Sequence, residues 1–265
     1  MIALAPTRRA LRSLAALLLL AGSLVASAQT EAVARTCQSW GDQPPNVGSN
    51  NNRLRAVAAL SRCSAWAVGH YNNGANEQTL IEHWNGTAWK VQPSPSVGSG
   101  SNELRGVAAT SATNAWAVGF SFNGAANQTL IEHWNGQAWK VQPSPNLGSG
   151  GNELRGVAAT SATNAWAVGF FLNGSVNQTL ILHWNGKAWK VQKSPSPGTN
   201  DNFLESVAAT SATNAWAVGF SFNGTLNQTL ILHWNGKAWK VQKSPNPGAN
   251  DNVVFGVAAT SVNNA

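Results

Sequence analysis

The sequence carries little charge: Asp, Glu, Lys and Arg make up 10% of its 265 residues, against roughly a quarter in ordinary globular proteins. At 43% hydrophobic it can still bury a core, which excludes a solvated, disordered tail. Tyrosine occurs once, the only methionine is Met1, and no stretch beyond residue 28 is rich in the helix formers Glu, Lys, Leu and Ala. A helical bundle is therefore excluded. After residue 25 no apolar run approaches the roughly 18 residues that a membrane span requires. Tryptophan, by contrast, is abundant at 13 residues, alongside 25 glycines and 11 prolines, a composition that points to an all-β chain.

The first residues read as an export signal. Arg8, Arg9 and Arg12 precede an apolar run over 14–25, and Ala26-Ser27-Ala28 follows as a cleavage site. Residues 1–28 are thus expected to be removed and the mature protein to be secreted or held at the cell surface, with no membrane span after cleavage. Thr7-Arg8-Arg9-Ala10-Leu11 partly matches the twin-arginine pattern, so the general and twin-arginine export routes both stay open. Cleavage takes three arginines and no acid, lowering the formal net charge from +7 to +4. Lysines recur at 187, 190, 193 and again at 237, 240, 243 because a unit has been copied, so a nucleic-acid partner is not expected.

The chain repeats every 50 residues: after an N-terminal segment 29–50, full copies occupy 51–100, 101–150, 151–200 and 201–250, and a partial fifth occupies 251–265. The second and third copies are identical at 38 of 50 positions, which makes each copy one structural unit. Within the second copy, four β patterns lie at Leu104–Ser111 (strand A), Asn114–Phe122 (B), Gln128–Trp134 (C) and Ala138–Gln142 (D), separated by turn signals. Asn135-Gly136 predicts a tight type I′ hairpin between C and D, Asn123-Gly124 marks the B–C hairpin, and Pro143 and Pro145 end strand D. Each copy is thus an antiparallel meander. Alternation puts Trp116 and Val118 on one face of strand B and Ala115, Ala117 and Gly119 on the other, so that large residues of one copy meet small residues of the next. Fifty-residue, four-stranded units stacking face to face around an axis make a β-propeller, whereas solenoid units hold fewer strands.

Asn-Ala-Trp-Ala-Val-Gly at 114–119, Leu-Ile-Glu-His-Trp-Asn-Gly-x-Ala-Trp at 130–139, Val141 and Pro-Ser-Pro at 143–145 resemble exported bacterial β-propeller repeats, distantly similar to kelch and galactose-oxidase-type blades. The resemblance covers residues 36–265. Strand B ends in one Gly rather than the kelch pair, and neither the Trp-Asp and Gly-His pairs of WD40 blades nor the Asp box of sialidase-like blades occurs. The resemblance implies a fold and leaves activity open.

Pro45, Val47, Gly48 and Ser49 sit fifty residues before Pro95, Val97, Gly98 and Ser99, and Trp40 lies near the position matching Trp89, so 29–50 is expected to hold an isolated strand D that closes the ring. The chain stops before a fifth Trp-Ala-Val-Gly, which reads as a longer protein cut short, with at least five blades. The other reading is an open arc that closes by self-association.

Catalysis finds no support in the sequence. His83, His133, His183 and His233 fall on strand C of four different blades and cannot converge on one metal ion at the ~2.0 Å of a Zn–N bond. Glu82 and Glu132 stand where other copies have Leu182 and Leu232, a poor pattern for acid–base work. Copper chemistry of the galactose-oxidase kind would need a Tyr–Cys pair with His ligands, and Tyr71 is the only Tyr. No distinctive residue is expected at the axis, and no catalytic residue, metal or cofactor is assigned.

Copies two and three differ at twelve positions, ten of them in the D–A connection or around the B–C hairpin, and none in the A–B turn. Antiparallel order puts the D–A and B–C loops on one rim. The expected binding rim comprises Ser121, Phe122, Ala125, Ala126, Phe171, Leu172, Ser175 and Val176 with Asn146 and Leu147, and the expected partner is a protein or a cell-envelope glycan. A repeat lectin is the second reading, with Trp84, Trp134, Trp184 and Trp234 as stacking platforms, whereas Trp66, Trp116, Trp166 and Trp216 are expected in the interblade core. Cys37 and Cys63 either fasten the N-terminal segment to the first blade or stay apart because their predicted positions differ in radius; the sequence leaves both open.

Overall fold

The structure, a computed structural model, describes residues 37–38, 43–148, 150–261 and 264–265. The expected signal peptide at 1–28 and the expected closing strand around Trp40 lie outside the described residues. Blade 1 comprises β1 (Asn52–Ser61), β2 (Ser64–Asn72), β3 (Glu77–Trp84) and β4 (Trp89–Gln92). Blade 2 comprises β5 (Asn102–Ser111), β6 (Asn114–Phe122), β7 (Asn127–Trp134) and β8 (Trp139–Val141). Blade 3 follows with β9 (Asn152–Ser161), β10 (Asn164–Asn173), β11 (Val176–Trp184) and β12 (Trp189–Gln192), and blade 4 with β13 (Asn202–Ser211), β14 (Asn214–Phe222), β15 (Asn227–Trp234) and β16 (Trp239–Gln242). Each blade is one antiparallel four-stranded meander in the order A-B-C-D. Among the described residues the architecture is an all-β propeller of four blades whose sheets do not close into a ring. No helix among the described residues is long and apolar enough to cross a membrane.

Burial explains the stacking. The outgoing face of blade 1 offers Trp66, Val68 and Ile81 to Leu104, Val107, Ala115, Ala117, Leu130 and Trp139 of blade 2, and the same set recurs between blades 2 and 3 and between blades 3 and 4. Trp116 and Trp166 are wholly buried, and each full burial of a large apolar side chain is worth about 2–3 kcal/mol. Blade 1's incoming face has no such neighbour among the described residues: Leu54 and Val57 are 38% and 58% exposed, where the equivalent Leu104 and Val107 are 0% and 9%.

The A strands of successive blades approach most closely, which puts them at the axis. A Cβ on Gly106 would meet the Arg155 carbonyl oxygen and the Gly156 Cα at 3.2 Å, and one on Gly156 would meet the Ser206 Cα at 3.0 Å. Every A strand also carries a bulge at its fourth residue, since pairing with strand B skips Arg55, Arg105, Arg155 and Glu205. Gly69, Gly119, Gly169 and Gly219 answer that bulge. A Cβ on Gly119 would fall on the Glu103 carbonyl oxygen of its own blade, so this glycine makes room for strand A, and only Ala115 and Ala117 make room for the neighbouring blade.

The C–D connection also departs from expectation. Trp134 pairs with Trp139, leaving a four-residue loop in which Gly136 takes φ 93° and the Asn135 carboxamide oxygen accepts the backbone N–H groups of Gln137 and Ala138. The turn pivots on Gly136-Gln137, one residue later than a type I′ Asn-Gly pair would, because the Asn135 side chain caps the loop from within.

Candidate functional site

The D–A and B–C loops share one rim. Backbone N–H groups of Ser99 and Gly100 donate to the Phe122 carbonyl at 3.1 and 3.2 Å, and the Phe122 N–H donates to Ser101 O at 2.8 Å, so each D–A connection lies on the B–C hairpin of the blade it enters. An asparagine clamps the connection: the Asn152 carboxamide accepts from Leu147 N at 2.7 Å and donates to Leu147 O and Gly150 O at 3.0 Å. Asn102 and Asn202 are its equivalents, and all three are 1% exposed. A polar residue in a glycine-rich loop reads as solvated, so this device is invisible until its burial is known.

Several rim residues are likewise committed to the fold. Asn146 is spent inside the fold, its side-chain oxygen accepting from Thr129 N at 2.7 Å; Ser96 and Ser196 hold Thr79 N and Thr179 N in the same way. The Asn146/Ser196 difference therefore preserves one hydrogen bond. Ser121 is buried, and Leu147 and Phe171 pack against the core between blades 2 and 3. Phe122, Leu172, Ala126 and Val176 are half-buried, and Ala125 and Ser175 are exposed at the hairpin tips. The surface left on this rim is narrow, with the tips outermost and apolar side chains below them.

The four Trp candidates part ways. Trp84 is 0% exposed and offers no face to a sugar: its indole N–H donates to Arg62 O at 3.0 Å, and residues 37–38 cover the same turn, where Gln38 N donates to Gly86 O. Trp134, Trp184 and Trp234 are half-buried, each packed at 5.0–5.1 Å on Trp66, Trp116 or Trp166 of the preceding blade. Their N–H groups are used by Ala112, Ala162 and Ala212 carbonyls. Beside Trp134 lies a groove of about 350 Å³ lined by Gln92, Ser94, Gln137 and Trp139. Beside Trp234 a groove of about 500 Å³ is lined by Gln192, Lys193, Lys237 and Lys240.

Cys37 and Cys63 are joined, with Cα atoms 5.3 Å apart, so the two positions share one radius after all. The strand-C histidines are packed apart from one another: His133, His183 and His233 bond Asn114, Asn164 and Asn214 at 2.7–2.8 Å, His83 bonds Ser64 at 3.1 Å, and each ring lies 4.0–4.3 Å from a strand-B tryptophan. Burial holds their pKa values below the ordinary imidazole value. Glu132 is wholly buried in the face that blade 2 turns to blade 1, where the Ser94 hydroxyl donates to its two carboxylate oxygens at 3.2 and 3.1 Å. Desolvation outweighs that bond and raises its pKa to about 8; Glu82, 1% exposed, is raised to about 7 by the same cause.

The axis is where reading the sequence missed most. The bulges aim Arg55, Arg105, Arg155 and Glu205 along the inner strands, where they interleave with Glu103 and Glu153. Arg105 lies 3.2 Å from Glu103 and 3.9 Å from Glu153, and Arg155 lies 3.6 Å from Glu153 and 3.0 Å from Glu205. Arg105 and Arg155 also stand over the Phe120 and Phe170 rings at 5.1 and 5.0 Å. This charge ladder bridges consecutive blades, and its sequence signal is Glu-Leu-Arg at 103–105 and 153–155.

No family model and no curated protein matches the chain. Solved structures similar to it include YCF48 bound to a D1 peptide, at TM-score 0.46 and 14% identity, covering 75% of this chain and 55% of that one. The WD40 propeller domain of Doa1 is similar at TM-score 0.33 and 13% identity, covering 74% and 69%, and the Xanthomonas campestris GH74 xyloglucanase at 0.28 and 12%, covering 75% and 37%. The chain spans about half the length of the first of these. At such identities the likeness concerns the fold.

Proposed function

We propose that this chain is a non-catalytic, exported interaction propeller that engages a protein partner through the D–A and B–C rim. The observation that carries the reading is an asymmetry between rims. The B–C tips change between copies in apolar character, from Phe122-Ala125-Ala126 to Leu172-Ser175-Val176, while the A–B turns keep Ser-Ala-Thr-Asn in copies two to four. Hydrogen-bonding needs fix the side chains of Asn146 and Asn152, whereas at the tip Asn123 caps the backbone of Ala125 and Ala126 and leaves the side chains at 125, 126, 175 and 176 free to follow a partner. Ala125→Asp and Ser175→Asp change only exposed positions. Together they are expected to abolish partner binding with the thermal midpoint unchanged; retained binding would sink the reading.

A repeat lectin is favoured by a different observation, the grooves beside Trp134 and Trp234 on the opposite rim. Trp stacking with amide and amine donors at each interface would give weak sites multiplied by avidity. A glycan array separates the readings, since only a lectin binds sugar and loses it in Trp234→Ala.

A further inference from the structure

Two positions of the repeat change together in one copy only. Blades 2, 3 and 4 have Phe120/Asn127, Phe170/Asn177 and Phe220/Asn227, whereas blade 1 has His70/Glu77. In blade 2 the Asn127 amide donates to Glu153 of the next blade at 2.8 Å, and in blade 3 Asn177 donates to Asp201 at 3.1 Å. Blade 1 puts a carboxylate where those amides stand, facing Glu103 of blade 2, so a donor is exchanged for a second negative charge. The ring beside it becomes an imidazole. Among the described residues His70, Glu77 and Glu103 are brought together so that one ligand atom from each lies within 4.8 Å of the others.

Two buried polar atoms of this cluster make no hydrogen bond. His70 is 5% exposed and its Nδ1 makes no hydrogen bond, lying 3.6 Å from Glu103 Oε2. Glu103 is 9% exposed and that Oε2 makes no hydrogen bond either. Donors around a tetrahedral Zn²⁺ with bonds of 2.0–2.2 Å stand about 3.3 Å apart, so the His70–Glu103 pair is already near ligand spacing and Glu77, half-buried at the start of β3, needs a side-chain rotation. We propose that His70, Glu77 and Glu103 bind one first-row divalent transition ion, best matched by Zn²⁺, across the boundary between blades 1 and 2. One imidazole with two carboxylates suits Zn²⁺ better than Mg²⁺ or Ca²⁺, which prefer oxygen alone. Burial also lowers the His70 pKa, against the pull of Glu103, which favours the neutral imidazole that a metal requires.

Competing cations are part of the site. Arg105 lies 3.2 Å and Arg55 3.7 Å from the same Glu103 oxygen. Arg105 has Glu153 as a second partner, whereas the Arg55 side chain is 33% exposed and swings into solvent when the ion enters. The ion thereby replaces an arginine contact with a bond between blades, and it stabilises the first interface by mass action.

The test is calorimetric titration of the metal-free protein with ZnCl₂ alone. His70→Phe and Glu77→Asn install the residues that three other blades already carry, so both variants keep the fold. One saturable equivalent is expected in the wild type, with affinity reduced about tenfold or more in each variant and increased in Arg55→Gln. A rise in thermal midpoint with Zn²⁺ is expected in the wild type and absent from the double variant. Failure to bind one equivalent, or binding that His70→Phe and Glu77→Asn leave unchanged, would overturn the proposal; the second outcome would place the ion on other histidines.

Discussion

Glu132 gives the sharpest physical prediction. Its carboxyl is wholly buried in β7, at a position where blades 3 and 4 carry Leu182 and Leu232, both 0% exposed. In the unfolded chain it ionises near 4.5, and in the folded chain near 8. Between those values the folded state holds a proton that the unfolded state has released, so stability is fully present below about pH 4.5 and is lost as pH rises towards 8. At 1.36 kcal/mol per unit, the gap from 4.5 to about 8 amounts to at most about 5 kcal/mol lost by pH 9. Glu82 adds a smaller loss of the same sign, which levels off as pH rises past its folded pKa of about 7. Glu132→Leu puts into blade 2 the side chain the other interfaces already pack, and it is expected to gain several kcal/mol over wild type at pH 9 and progressively less towards pH 5. The strand-C histidines, whose lowered pKa values remove stability as pH falls below about 6.5, are common to both proteins and cancel in the comparison. Denaturant unfolding of the pair at pH 5, 7 and 9 measures this. A difference between them that stays constant with pH, or wild-type stability that rises from pH 7 to 9, would refute the reasoning.

Other outcomes follow from single contacts. Gly119→Ala drives a methyl group into the Glu103 carbonyl of the same sheet, and loss of cooperative unfolding is expected by calorimetry, whereas Ala125→Gly at the exposed tip is nearly silent. Trp116→Ala opens the interface between blades 2 and 3 and should cost about 3–5 kcal/mol in denaturant titration. Closing a 26-residue separation should make the Cys37–Cys63 bridge worth about 3.5 kcal/mol; reduction should lower the unfolding midpoint, and the intact mass of the oxidised chain should be less by two hydrogens.

Much of the fold was legible because it depends on a period and on alternation. The fifty-residue repeat set the blade count of the described chain, and the opposed faces of Trp116-Val118 and Ala115-Ala117 reappear as the interblade cores. The axis was not legible under strict alternation. Leu104 and Val107 are three residues apart yet enter the same core cluster, and only a bulge at Arg105 permits that; the broken alternation was itself the available signal. Strand A begins at Asn102, two residues before the expected Leu104, because the buried Asn102 carboxamide holds the connection ahead of it. Asn146 and Ser121 lie on a rim whose variability is visible in the sequence, whereas the bond from Thr129 N to Asn146 and the burial of Ser121 are not. His70 leaves no repeat signal because it occurs in one copy only, and Glu103 is brought to it by the boundary between blades rather than by sequence spacing.

Partner contact at the D–A and B–C rim is directly testable by cross-linking. A photoreactive amino acid placed singly at Ala125, Ser175, Gln137 or Lys187 samples both rims at exposed hairpin positions, and irradiation in the native host followed by mass spectrometry identifies what each position touches. One protein is expected to cross-link from Ala125 and Ser175 and to be absent from Gln137 and Lys187. Cross-links confined to Gln137 and Lys187 would place the interaction on the opposite rim, beside the tryptophan grooves, and contradict it.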